Sequence, residues 1–284
     1  MSRPPRLEQT RSVAPRARGL VSGRVSGSRI DAERRPPPAE LADVVECFWI
    51  GRWDLRGQPS HETLLLSDPS VHFVVERSEQ VPRGQESRVV GVWTRLWRRR
   101  LQGQGFVRGV KLHPGAVRAF VDVPAHTLSN TMTPLAALLP ERASQLERKV
   151  LSPADDQAAC DAYARWLVSL RRPEDPRVAQ AVALVRAAIR RPELHTVEDL
   201  AAHAEMGVRA LQKLFRDFVG STPKWILRQN RLQEAAARLE AGEATSLSDL
   251  AASLGYSDQA HFTRDFRAAT GMAPGRFATQ VHAT

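Results

Sequence analysis

Cysteine is nearly absent from this 284-residue chain. Cys47 and Cys160 are too few for a disulfide scaffold and fit a reducing compartment. Long apolar runs are missing too: none approaches the roughly twenty residues that a membrane-spanning helix needs. The first residues lack the short apolar core of a secretory signal, so the expected location is cytoplasmic. Metal-binding and catalytic spacings are also wanting. His61, His72, His113 and His126 form no His-x-His pair and no His-Glu-x-x-His motif, and neither cysteine has a neighbouring histidine or a Cys-x-x-Cys partner. The sequence therefore predicts no metal, no cofactor and no enzyme.

What is abundant is arginine, and the formal net charge is +10. Most of the excess sits in residues 1–38, which hold nine arginines against three acids. Bulk charge is thus a poor guide to nucleic-acid binding here, and what counts is which helix faces carry the bases. Residues 1–38 show no apolar period and close on Pro36-Pro37-Pro38, which predicts a disordered basic leader, either a solvated tail or an arm adding nonspecific DNA affinity.

From Leu41 short apolar runs alternate with turn residues: VVECFWIGRWDL, ETLLLSDPSVHFVVE, RVVGVWTRLWRRRL and GFVRGVKLHPGAVRAF. Alternation at Val71, Phe73 and Val75, with turns at Asp68-Pro69 and Pro114-Gly115, predicts a β-rich domain with a helix or two over residues 39–140. Trp49, Trp53, Trp93 and Trp97 form either an aromatic effector pocket or the packing of a small β core. Residues 141–175 hold two linker helices, with Ala159, Tyr163, Trp166, Leu167 and Leu170 at helical spacing, which either dimerise or dock on a domain.

The last part, residues 176–284, contains an internal repeat. Leu200-Ala201-Ala202 recurs as Leu250-Ala251-Ala252 at an offset of fifty, and Leu211 and Phe215 recur as Phe262 and Phe266 at fifty-one. Thr196-Val197-Glu198-Asp199 and Ser246-Leu247-Ser248-Asp249 each read as a capping start for a helix. Gly255 suits the positive φ of a tight interhelical turn, after which Ser257 or Asp258 can cap the next helix. Thr222-Pro223 starts a long helix through about Glu240, ended by Gly242. In the first unit Val208, Leu211, Leu214, Phe215 and Phe218 make an apolar stripe opposite Arg209, Gln212, Lys213 and Arg216. In the second, Phe262, Phe266 and Ala269 lie opposite Ala260, His261, Arg264 and Arg267. Each unit has one face for a core and one basic face.

These stretches, LAAHAEMGVRALQKLF, GSTPKWILRQNRLQEAAARL and SLSDLAASLGYSDQAHFTRDFRAATGMAPGRF, resemble the C-terminal DNA-binding domain of the AraC/XylS family of transcription regulators. FWIGRWDL, LSDPSVHFVVE and GVKLHPGA are similar to the N-terminal domain of one subgroup of the same regulators. The resemblance implies a fold of two domains, β-rich α+β followed by an all-α tandem helix-turn-helix. It implies base-reading positions at Arg209, Gln212 and Lys213 in the first recognition helix, and at Ala260, His261 and Arg264 in the second. Phosphate contacts are expected from Arg216, Thr222, Lys224 and Arg267. Double-stranded promoter DNA and RNA polymerase are the implied partners, with a small-molecule effector or a homodimer acting through the N-terminal domain and activation as the expected sign.

Two departures from the family pattern lie in the first unit. Glu205 stands where the family has its turn glycine, and Gly207 where it has a capping serine. Rival readings are an enzyme or DNA-repair protein fused to a DNA-binding module, and an architectural DNA binder with no effector.

Overall fold

The computed structural model describes residues 20–21, 30–65, 67–81, 84–95, 97–152, 155–191, 193–243 and 246–282. Its N-terminal part is β-rich. In chain order the strands are β1 (Leu20–Val21), β2 (Ile30–Arg35), β3 (Val45–Leu55), β4 (His61–Leu65), β5 (His72–Ser78), β6 (Gln85–Val90), β7 (Trp97–Leu101), β8 (Gly103–Leu112) and β9 (Met132–Pro134). They form an antiparallel six-stranded sheet ordered β2-β3-β8-β5-β6-β9 and a smaller one ordered β1-β4-β7.

Alternation along the strands gives the large sheet two apolar faces. Phe48, Ile50, Phe73, Val75, Val89 and Val110 belong to one buried cluster, whereas Trp53, Leu55, Val74, Val90 and Val107 belong to another with Trp49 and Leu101. The first face is closed by helices. After α1 (Leu135–Leu138), α2 (Pro140–Leu151) and α3 (Asp156–Leu170) lie on the sheet. Tyr163 and Trp166 of α3 stand 6.2 and 6.0 Å, ring to ring, from Phe48 and Phe73. Arg108 of β8 reaches back to α3, pairing with Asp156 at 2.9 Å. The segment read as linker helices is thus one wall of the β domain. Its helical spacing shows that one face is buried but not what buries it.

The expectation of a disordered leader over residues 1–38 falls mostly outside the described residues, but Ile30–Arg35 is a strand laddered to β3. IDAERR has too little apolar content to announce itself, and its order comes from backbone bonds to a neighbour.

The remaining helices are α4 (Pro176–Arg190), α5 (Val197–His203), α6 (Val208–Leu214), α7 (Pro223–Glu240), α8 (Leu247–Ser253), α9 (Gln259–Thr270) and α10 (Pro274–His282). α6 runs into a π-turn over Phe215–Val219, closed by Gly220 at φ 84°. The β domain and the first helical unit share one core. A single cluster extends from Leu41 through Trp166, Val185 and Phe215 to Ile226 and Leu227 in the first half of α7. Leu232, Ala235 and Leu239 in its second half belong to a separate core with Leu250, Leu254, Phe262, Phe266 and Phe277.

The seam between the β domain and the first unit is polar as well as apolar. Ser129 Oγ donates to the carbonyl of Gly220 at 2.5 Å, and Gln229 Nε2, buried, donates to the carbonyl of Ser67 at 3.2 Å. The Phe218 ring holds the guanidinium of Arg118 at 4.8 Å and that of Arg177 at 5.1 Å. A side chain at position 220 would meet the carbonyl of Ala125 at 2.9 Å, so glycine is needed there for space as well as φ.

Candidate nucleic-acid interface

The two helical pairs superpose in their hydrogen bonds as well as in sequence. In the first turn Ala204, Glu205 and Met206 donate to the carbonyls of Leu200, Ala202 and Ala201; in the second Leu254, Gly255 and Tyr256 donate to those of Leu250, Ala252 and Ala251. Every member is offset by fifty. The recognition helices begin one residue further apart, because Ser257 intervenes before the N-cap Asp258, whereas Gly207 follows Met206 directly. Each entry helix starts with a reciprocal cap. Thr196 Oγ1 accepts from the amide of Asp199 at 3.0 Å, and Asp199 accepts from the amide of Thr196 at 2.8 Å. Ser246 Oγ accepts from the amide of Asp249 at 3.0 Å and donates to its carboxylate at 2.7 Å. The hydroxyl and backbone amides of the cap hold the Asp199 carboxyl below its usual range.

The units differ at the turn. Gly255 takes φ 74° at no steric cost, while Glu205 is forced to φ 50°, a left-handed conformation that costs a residue with a Cβ about 1–2 kcal/mol. The second recognition helix is also better capped. Asp258 accepts from the amide of His261 at 2.7 Å, which lowers its pKa, whereas Gly207 offers no side chain.

In the first recognition helix Leu211 and Leu214 are buried while Arg209, Gln212 and Lys213 are exposed, so the three expected base-reading groups share one open face. Arg216 follows on the π-turn, its Nε 2.9 Å from the Asp217 carboxylate, which it holds at a lowered pKa. The sequence reading missed Asp217. The Arg216 guanidinium is thus already paired within the chain. Thr222 caps α7, its hydroxyl accepting from the amide of Trp225 at 3.1 Å, and Lys224 in the first turn is exposed.

In the second recognition helix Ala260, His261, Arg264 and Arg267 are exposed around buried Phe262 and Phe266. The structure brings His261 to two residues that the sequence reading did not use, Tyr256 and Asp265, and through Asp265 to a third, Arg228. The His261 ring meets Tyr256 edge-on at 5.2 Å, its Nε2 lies 3.8 Å from Asp265, and Asp265 also accepts from the Tyr256 hydroxyl at 3.4 Å and faces Arg228 of α7 at 3.7 Å. Burial, and then the Asp265 charge, push the Tyr256 hydroxyl up to about 12. A signal for this cluster was present in the repeat: at the offset of fifty-one, Asp265 occupies the place of buried Leu214.

The four tryptophans of the β domain form two pairs. Trp49 and Trp53 lie on one face of β3, where a side chain at Gly109 or Gly105 would collide with their indoles. Trp93 and Trp97 stand 5.6 Å apart, ring to ring. Trp49 Nε1 donates to His72 Nδ1 at 3.2 Å, close to a buried Lys111 that pairs with Asp68 at 2.8 Å and Glu46 at 3.1 Å. Burial pushes His72 down to about 4. It opposes ionisation of Asp68 as well, but Lys111 and His72 overcome it and hold that carboxyl at about 2. Both cysteines are buried, and burial raises Cys160 to about 11. Among the described residues no group of three His, Cys, Asp or Glu is placed to hold a metal, and no helix is long and apolar enough to cross a membrane.

Residues 33–134 match a family described as a domain of unknown function, and residues 200–280 match a helix-turn-helix domain family. The chain is 36% identical over 86 residues to the RCS-specific HTH-type transcriptional activator RclR of Escherichia coli K12, covering 30% of each. It is 39% identical over 82 residues to the transcriptional activator NphR of a Rhodococcus species, covering 29% of this chain and 24% of that one. A putative AraC-like transcription regulator of Streptomyces lividans is 34% identical over 122 residues, 43% of this chain and 38% of that one. The chain therefore spans well under half the length of these relatives. Among solved structures, an AraC-type transcriptional regulator of Chromobacterium violaceum is similar at 25% identity and a TM-score of 0.32, covering 37% of this chain and 92% of that one. ToxT of Vibrio cholerae is similar at 12% identity and a TM-score of 0.38, covering 82% and 97%. The doubled helix-turn-helix of the C-terminal part thus coincides with the match to a helix-turn-helix domain family over residues 200–280, and this part of the chain is similar in sequence to AraC-like transcription regulators.

Proposed function

We propose that the chain is a sequence-specific regulator that reads two successive major grooves of promoter DNA, one with α6 and one with α9. Supporting this is the exposure of Arg209, Gln212 and Lys213 on one helix, and of His261 and Arg264 on the other, each opposite a buried stripe. An arginine fork suits guanine O6 and N7, and a glutamine suits adenine. Lys224, Arg267, Arg216 and the capped start of α7 at Thr222 take phosphates. Recognition helices set a helical repeat of DNA apart, roughly 34 Å, would let a single chain cover a bipartite site.

In this reading residues 39–140, with the helices of 141–175, sense a small molecule or a second copy of the chain, and residues 176–284 bind DNA. The tryptophans Trp49, Trp53, Trp93 and Trp97 are the residues through which an effector would act. The outcome is activation through RNA polymerase. The shared core and the Gln229–Ser67 bond supply a physical route, since a ligand shifts DNA affinity only by its differential affinity for the binding-competent state.

Binding-site selection on the full chain tests the reading. Arg209→Ala and Arg264→Ala are expected to lose preference at different, separated base positions, each by about 1–3 kcal/mol, while Lys224→Ala weakens all sequences alike. An unchanged motif in both arginine variants would overturn the assignment.

A further inference from the structure

The polar cluster around Asp265 has no counterpart in the first unit. There the matching position is Leu214, buried in the shared core. In α9 the carboxylate instead gathers groups from three elements: Tyr256 from the turn, Arg228 from α7, and His261 from one turn earlier on its own helix. Arg231 of α7 completes the surround, its guanidinium 5.0 Å from the Tyr256 ring. His261 is therefore flanked on two sides, by the edge-on Tyr256 ring and, at 3.8 Å, by the Asp265 carboxylate. Arg264, on the same helix, has no carboxylate within ion-pair distance among the described residues and is exposed.

We propose that Asp265 is a specificity-determining positioning residue: with Tyr256 it fixes the ring of His261 for base reading, and without it the second recognition helix reads DNA through Arg264 alone. This rests on the reading that α9 enters the major groove. Its chemistry is local. A histidine ring on an exposed helix face has two soft torsions and reads a base edge only if its orientation is set before contact. A carboxylate facing Nε2 sets that orientation and leaves Nδ1 for a base. Ala260, the neighbour, has no hydrogen-bonding group, so base reading at this end of α9 falls to His261.

The test compares Asp265→Leu, which installs the residue of the first unit, with Asp265→Asn, which keeps an acceptor for the Tyr256 hydroxyl and a polar oxygen facing the imidazole. Binding-site selection is run on the full chain, both variants, His261→Ala and His261→Ala/Asp265→Leu. The expected result is that Asp265→Leu loses preference at the base position lost by His261→Ala, by about ten- to a hundredfold, while the Arg264 position is kept. Asp265→Asn restores most of that preference, and the double variant is no worse than His261→Ala alone, as required of residues acting as one unit. An unchanged motif in Asp265→Leu, or losses that add in the double variant, overturns the proposal while leaving the two-groove reading intact. A wild-type chain with no sequence preference overturns both.

Discussion

The two helix-turn-helix units are copies in sequence and hydrogen bonding, yet they are held by different means. The first is an extension of the β domain: Phe215, Phe218 and Val219 lie in the same core as Phe73 and Trp166, and Ser129 and Gln229 bond across the seam. The second has its own small core and reaches the rest of the described chain through α7. The first unit can therefore tolerate a strained Glu205 and an uncapped Gly207, because a large shared core over-determines them. The second, with less to lean on, has the glycine turn, the aspartate cap and the Tyr256–Asp265–Arg228 cluster. Local sequence quality is highest where tertiary support is least.

That contrast can be broken by experiment. The largest effects are expected from core truncation. Phe215→Ala and Phe262→Ala each remove a fully buried ring, at a cost of about 3–5 kcal/mol. The first should lower the stability of the β domain as well, and the second should leave β-domain amides as protected as in wild type. Hydrogen exchange resolved by segment decides it; equal loss of β-domain protection in both variants would erase the distinction.

Acid should act on the shared body and spare the second unit. His72 has a folded pKa of about 4, below the usual 6.5, so its contribution is complete above pH 6.5 and is lost as pH falls toward 4. Asp68, held at about 2, stays ionised through that window. A loss on the order of 2–3 kcal/mol between pH 7 and 4.5 is expected from His72, since each tenfold difference in proton affinity between the folded and unfolded chain is worth about 1.4 kcal/mol. His72→Gln should flatten the dependence of the β-domain melting temperature on pH; a variant with the wild-type slope contradicts the assignment.

Smaller still are the caps. Thr196→Ala and Ser246→Ala are each expected to cost about 1 kcal/mol, with the second exposing more of its unit to exchange because no shared core supports it. Smallest is the turn. Glu205→Gly relieves the left-handed strain at an entropic cost and should stabilise by about 0.5–1 kcal/mol, whereas Gly255→Ala should destabilise by a similar amount. Thermal melts of both variants moving in the same direction would contradict this.

The repeat was legible because its information is local. Caps, turn glycine, apolar stripe and the extra residue at Ser257 are all written within short windows, and the structure places each where the spacing puts it. The β character of residues 45–112 was legible from alternation, but the sheet order was not, since pairing β3 with β8 joins residues far apart in sequence. The helices at 140–170 were visible as helices, and only the structure shows Tyr163 and Trp166 against Phe48 and Phe73. The strand at Ile30–Arg35 escaped notice because its order comes from a neighbour's backbone. Within the site, exposed basic groups follow from helical periodicity alone. The acids that stand beside them, Asp217 at Arg216 and Asp265 at His261, sit among groups of opposite charge, where a sequence gives proximity but not choice.

The central claim, that two separated helices each read a major groove, is tested most directly by guanine-N7 methylation interference on a selected site. The account predicts two clusters of interfering guanines about 10 base pairs apart on one face of the duplex, with Arg209→Ala erasing one cluster and Arg264→Ala the other. A single contiguous cluster, or one from which both substitutions remove the same guanines, would contradict it.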